Sequence, residues 1–316
     1  MNNQVYTLIT DKIIKQLEAG HVAWRKQWHV NNIPQNFATK RQYEGINFFL
    51  LSLIADIDHY RTANFLTYNQ VCDLAKCLNC KKQYLNKHGA KCCANPQADK
   101  FVKKDEHGYP VIFWKIKEVE HKRRIINGDG IEELKIETDE FPLLRYYTVF
   151  NIDQCDGIKF EPNSNHNDPI AKAEALIKLY KDCPSLTFGG SRAYYKPSED
   201  IIGLPQVNDF DDSNAYYSTL FHELTHSTGH PARLKRFDKD QTHSFGSEPY
   251  SKEELVAELG SAFLCATAGI STELKNQTAY IQGWLKALKE DDKLIIHASA
   301  QAQKSTKYIR GEVKHK

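Results

Sequence analysis

Five residues, His222-Glu223-Leu224-Thr225-His226, constrain this chain more than any other feature of its 316 residues. On a helix, positions i and i+4 lie one turn apart on one face, so His222 and His226 can direct two imidazoles at one point. Glu223, one step along, stands beside that point rather than at it. A His pair with a Glu in second place is the spacing of hydrolytic zinc sites, where the carboxylate acts as general base on a water at the metal. The helix that must carry the motif is legible around it. Asp212 or Ser213 can cap its start, Gly229 can end it, and Tyr216, Leu220 and Leu224 supply a buried stripe. Two ordinary surface histidines would not require the intervening Glu.

A tetrahedral site that keeps one position open for water needs a third protein ligand. His230 stands four residues past His226, but Gly229 and Pro231 surround it, so the helix has ended there. The better source is the next long helix, expected from about Lys252 to Ala268, where Glu254 and Glu258 form a second i, i+4 pair. Two His from one helix and a Glu from the next resembles the gluzincin arrangement. Glu254 is the preferred ligand, with Glu258 behind it accepting the far N–H of a ligand His. Glu258 stays open as the alternative ligand, because Ser251-x-x-Glu254 also reads as a capping box. The segment Asp200–Leu204 reads as an edge strand on which a peptide substrate could pair. Tyr194 or Tyr195 could stabilise an oxyanion, and both also suit aromatic packing.

The first part of the chain has a different character. Residues 1–128 hold 20 Lys and Arg against 11 Asp and Glu, although the whole chain carries a net charge of only +2. Such an asymmetry fits a polyanionic partner or a solvated Lys-rich face. Trp24, Trp28, Phe37 and Tyr43 alternate there with Arg25, Lys26, Lys40 and Arg41. Bases stack on aromatic faces while phosphates meet cations, a combination that suits single-stranded nucleic acid. Cys77, Cys80 and Cys92, in a Cys-rich stretch that includes Cys72 and Cys93, could hold a second, structural zinc; free thiols are the alternative. No apolar run reaches the length of a membrane span, and no apolar signal segment opens the chain, so a cytoplasmic protein is expected.

Helices are expected at Tyr6–Ala19, residues 46–57, Ile170–Tyr180, about Ala279–Leu288 and about His297–Ile309, besides the two at the metal motif. Strands are expected at Val111–Ile116, Arg145–Ile152, Ala193–Tyr195 and Asp200–Leu204. The fold class is therefore α+β. The linker-like composition of residues 161–169 places a boundary between residues 1–160, with a Cys-rich insertion near 72–93, and residues 165–316.

Six separated segments keep a common order: 24–28 (WRKQW), 33–51 (IPQNFATKRQYEGINFFLL), 109–115 (YPVIFWK), 189–205 (GGSRAYYKPSEDIIGLP), 216–236 (YYSTLFHELTHSTGHPARLKR) and 253–264 (EELVAELGSAFL). Together they resemble the ArdC-type antirestriction proteins of plasmids and other mobile elements. The resemblance implies a mixed α/β N-terminal domain that binds single-stranded DNA and a C-terminal zincin-like metallopeptidase domain. It also implies protection of incoming DNA from host restriction, with a protein substrate or a restriction component as a further partner. A DNA-binding protein whose zinc half is structural is the alternative.

Overall fold

The first helix, α1 (Asn3–Glu18), forms where Ile9, Ile13 and Leu17 recur at helical spacing, and all three are buried. The computed structural model describes residues 3–22, 33–74, 101–126, 132–158, 160, 169–237, 248–271 and 277–313. The next helix, α2 (Ile46–Ile57), is apolar almost all round and so needs cover on both sides. Phe48, Phe49, Leu50 and Leu53 face the main core. Leu51 and Ala55 instead meet Ala63, Phe65, Val111 and Val149 in a second cluster.

That second cluster lies on a four-stranded sheet of β1 (Gln35–Asn36), β2 (Asn64–Thr67), β3 (Tyr109–Ile126) and β4 (Glu132–Asn151), in the order β1-β2-β4-β3. β1 and β2 run parallel, and the other pairs are antiparallel. A short helix, α3 (Tyr68–Leu74), follows β2. β3 and β4 form one long ribbon, in register from Tyr109 opposite Val149 to Ile126 opposite Glu132. The two expected strands are the inner ends of these arms. At the outer edge of the ribbon, Asn47 takes the place of a neighbouring strand. Its amide donates to the Ile112 carbonyl and accepts from the Ile112 N–H, both at 2.8 Å.

The second half begins with α4 (Pro169–Leu179) and a three-stranded sheet of β5 (Ser185–Phe188), β6 (Tyr194–Lys196) and β7 (Ile201–Leu204), in the order β5-β7-β6. β6 and β7 form the expected hairpin. β7 is the central strand, however, because β5 pairs with it in parallel. The expectation of an edge strand at Asp200–Leu204 is corrected accordingly: among the described residues, the open edge beside that hairpin is β6.

Four helices complete the chain: α5 (Ser213–Ser227), α6 (Glu248–Ala268), α7 (Gln277–Glu290) and α8 (Leu294–Ile309). None of the described helices is long and apolar enough to cross a membrane.

One hydrophobic cluster joins Ile9, Ile13, Phe48 and Phe49 from the first half to Leu220, Leu259, Phe263 and Ile295 from the second. The Phe263 ring lies 5.0 Å from that of Phe48 and 4.6 Å from that of Phe49. Polar contacts reinforce the union. Thr10 donates to the Asp292 carbonyl at 2.6 Å, and Lys307 pairs with Glu44 at 2.7 Å. The boundary expected near 161–168 lies outside the described residues. The two halves nevertheless share one core.

Candidate metal centre

α5 starts where Asp212 accepts the backbone N–H of Ala215 at 2.8 Å, satisfying one of the orphan donors of the first turn. It ends with the Gly229 N–H donating to the His226 carbonyl at 2.8 Å. Tyr216, Leu220 and Leu224 are buried, as their spacing requires. α6 starts at Glu248, three residues before Ser251. Ser251 is therefore inside the helix and not at its cap, and the capping-box reading of Glu254 falls away.

The two helices meet closely because of Gly260. A Cβ at that position would stand 2.4 Å from Cγ2 of the buried Thr225, a distance no side chain tolerates. The absence of that carbon lets the α6 backbone rest on α5, with Glu254 facing the histidine pair.

Three donors converge there. His222 Nε2 and His226 Nε2 lie 3.0 Å apart. Glu254 places Oε2 3.4 Å from His222 Nε2 and Oε1 3.3 Å from His226 Nε2. A tetrahedral metal with bonds of about 2.0–2.2 Å separates its ligands by roughly 3.3–3.5 Å. The observed spacings are of that size, with the histidine pair slightly closer and each imidazole facing a different oxygen of Glu254. His222, His226 and Glu254 are the group able to hold a metal among the described residues. Their side chains are 19, 13 and 23% exposed, so the group is neither fully buried nor on the open surface.

Each imidazole has a carboxylate behind it. His222 Nδ1 is 3.7 Å from Glu258 Oε1, beyond hydrogen-bond range but facing it. His226 Nδ1 is 3.4 Å from Glu253 Oε1. Glu253 is itself gripped by the Arg236 guanidinium, from Nε at 3.0 Å and Nη2 at 2.7 Å. Arg236 also donates to Thr228 Oγ1, Ser305 Oγ and the Thr225 carbonyl at 2.8–2.9 Å. Glu253, Arg236, Thr228 and Ser305 escaped the sequence reading. The one signal was the basic run Arg233–Arg236 after the histidine motif, which composition alone cannot connect to Glu253.

The charges follow from these contacts. Burial alone would lower the pKa of His226, but Glu253 and Glu254 outweigh it and push the imidazole up. Burial favours a protonated Glu254, yet hydrogen bonds from His222 and His226 hold the carboxyl well below its usual range. Glu223 is buried on α5, next to His222 in the chain.

The other expected site residues are distributed as follows. The Tyr195 hydroxyl donates to Asp200 Oδ1 at 2.8 Å, and its ring stacks on Phe237. Asp200 in turn holds the buried Arg233 at 2.6 and 2.9 Å. Tyr194 lies across Gly203 of β7. Neither tyrosine contacts the three donors in the described structure. Lys40 and Arg41 sit on a turn after β1, with the Lys40 ammonium 4.1 Å from the centre of the Phe37 ring. Trp24, Arg25 and Lys26 lie outside the described residues, as do Cys77, Cys80, Cys92 and Cys93. Among the described residues Cys72, Cys155, Cys183 and Cys265 form no disulfide.

Two family models match the chain. Residues 3–150 match the N-terminal domain of the anti-restriction factor ArdC, and residues 171–301 match a zincin-like metallopeptidase. Among curated proteins, y4eC of Sinorhizobium fredii (strain NBRC 101917 / NGR234) is 32% identical over 317 residues, covering 98% of this chain and 92% of that protein. The DNA primase TraC of Escherichia coli is 32% identical over 315 residues, covering 96% of this chain. The chain spans only 20% of that primase. Two crystal structures of the antirestriction protein ArdC from plasmid R388 align over 96% of both chains at 32% identity. The metal-free form gives a TM-score of 0.68 and the Mn(II)-bound form 0.69.

Proposed function

The chain belongs to the ArdC family of antirestriction proteins, and on that basis we propose that it binds single-stranded DNA through residues 1–160 and hydrolyses a peptide bond at a zinc site in residues 165–316. The observation that carries the second part is the tetrahedral spacing of His222, His226 and Glu254. Imidazole and carboxylate donors in that geometry suit zinc, and a Mn(II)-bound relative supports a divalent metal in this family. The metal, when bound, supplies Lewis acidity and makes a water easier to deprotonate. Glu223 takes a proton from the attacking water. As the water oxygen adds to the scissile carbonyl carbon and the C–N bond breaks, Glu223 delivers that proton to the leaving nitrogen. Glu258 and Glu253 orient the two imidazoles from behind. The open edge of β6 is suited to hold the main chain of a protein substrate by strand pairing.

The basic first half supports the DNA reading, as does the occurrence of a similar region within a DNA primase. The biological role is protection of incoming DNA from restriction in the cytoplasm, a reducing compartment that suits cysteines outside disulfides, as the described ones are. The test is made on the full chain. Binding to single-stranded and duplex oligonucleotides of equal charge is measured across a salt series. Tighter binding to single strands, falling steeply with salt, is expected. Preference for the duplex rejects the DNA reading. Glu223→Gln should retain metal and strand binding while losing hydrolysis of the protein substrate, and hydrolysis that survives in this variant rejects Glu223 as the base.

A further inference from the structure

Between the turn after β1, the start of α2 and the base of the β3–β4 ribbon lies a cleft of about 430 Å³. That volume falls within the roughly 300–1,000 Å³ of small-ligand sites. Phe113 and Tyr147 stand diagonally on one face of the ribbon, because Phe113 pairs with Arg145 and Tyr147 with Val111. Their ring centres are 5.8 Å apart at 52°, and they are 41% and 37% exposed. Folding thus leaves two large rings uncovered at the mouth of a polar cleft.

Hydrogen bonds organise the rest of the cleft. Asn36 and Gln70 exchange amide hydrogen bonds at 2.9 and 3.2 Å on its floor. The Asn36 side-chain Oδ1 also accepts the N–H groups of Ala38 and Thr39, at 3.1 and 2.9 Å, which fixes the turn that carries Arg41. Arg41 stands near Tyr147 and pairs with no carboxylate among the described residues. The Tyr43 hydroxyl is buried without a hydrogen-bond partner of regular geometry, although Asn36 and Tyr147 are close by. Burial raises the phenol pKa, so this hydroxyl stays protonated and able to donate.

A flat ring to stack, a polar edge to hydrogen-bond and an adjacent anion describe one ligand class. An extended peptide fits poorly, since Asn47 already occupies the Ile112 N–H and carbonyl on the ribbon edge beside the cleft. We propose that the cleft holds one unstacked nucleobase of a bound strand, with its ring against Phe113 and Tyr147, its edge on Tyr43 and its phosphate on Arg41. The proposal rests on the single-strand reading above and names where one base of that strand goes.

Two arms separate the failure of one from the failure of the other. In the first, the full chain and its Phe113→Ala and Tyr147→Ala variants bind a labelled single strand of about 12 nucleotides. Both rings are partly exposed, so the variants should still fold, and the melting temperature of each is measured beside its binding. Each should weaken binding by about 5- to 150-fold with the salt slope unchanged. In the second arm, deoxyadenosine monophosphate is added, and saturation transfer from protein to the base protons is read by NMR. The signal should disappear in Tyr147→Ala. Strand binding left unchanged by both variants, with no base signal in the wild type, overturns the cleft while the single-strand reading stands. If the wild type binds no strand, that reading fails. The monophosphate arm then still decides the cleft: a base signal abolished by Tyr147→Ala supports it, and the absence of any signal overturns it.

Discussion

Arg236 shows how much of a metal centre lies behind its ligands. Its guanidinium holds Glu253 in a two-point grip, and at the same time reaches Thr228, Ser305 and the Thr225 carbonyl. Glu253 in turn faces Nδ1 of His226 and leaves Nε2 directed at the donor cluster. Lysine carries the same charge but cannot bridge these groups in one plane. Arg236→Lys should therefore keep the fold and lower metal affinity by about 10- to 100-fold, the usual scale for a lost partner behind a ligand. Competition with a chromophoric chelator measures this, and unchanged affinity would remove Arg236 from the account. At this scale the sequence was partly legible. An i, i+4 His pair and an i, i+4 Glu pair are local patterns with a physical meaning. The pairing of Arg236 with Glu253 is not, because 17 residues separate them and no helical or strand spacing links the two positions.

Elements decide whether those residues meet. Gly260 lets α6 approach α5, and its replacement by Ala would drive a methyl carbon to 2.4 Å from Thr225. Gly260→Ala should cost about 1–3 kcal/mol of stability and also weaken metal binding, because the helices carrying Glu254 and the histidines must separate. Adding Thr225→Ala should restore both; if the double variant stays as poor as the single, the close approach is not the cause. α2 was legible to its ends because its apolar run leaves no other reading. The outer arms of β3 and β4 were not: Lys117, Glu118 and Glu120 are exposed, so no alternation of apolar and polar residues marks a strand there. The central position of β7 was hidden for another reason. β5 is four residues, Ser185–Phe188, and none of them is buried, so the segment that displaces β7 from the edge carries no core pattern.

At the scale of the whole molecule, the two halves are packed through one core. Phe263 sits on α6, the helix that carries Glu254, and touches Phe48 and Phe49 of α2. Removing its ring should cost about 3–5 kcal/mol, and Phe263→Ala should lower the melting temperature of the full chain in a single transition. Two separate transitions, with only the second half shifted, would show that the halves fold independently. Composition pointed to two functions along the chain but was silent on this union, because the apolar faces of α1 and α2 carry no label for the half they will meet. Metal content decides whether His222, His226 and Glu254 form a metal site. Mass spectrometry of the purified chain should find about one zinc per molecule, lost in His222→Ala, His226→Ala and Glu254→Ala and retained in Glu223→Gln. Full zinc occupancy in the His222 and Glu254 variants would contradict that site.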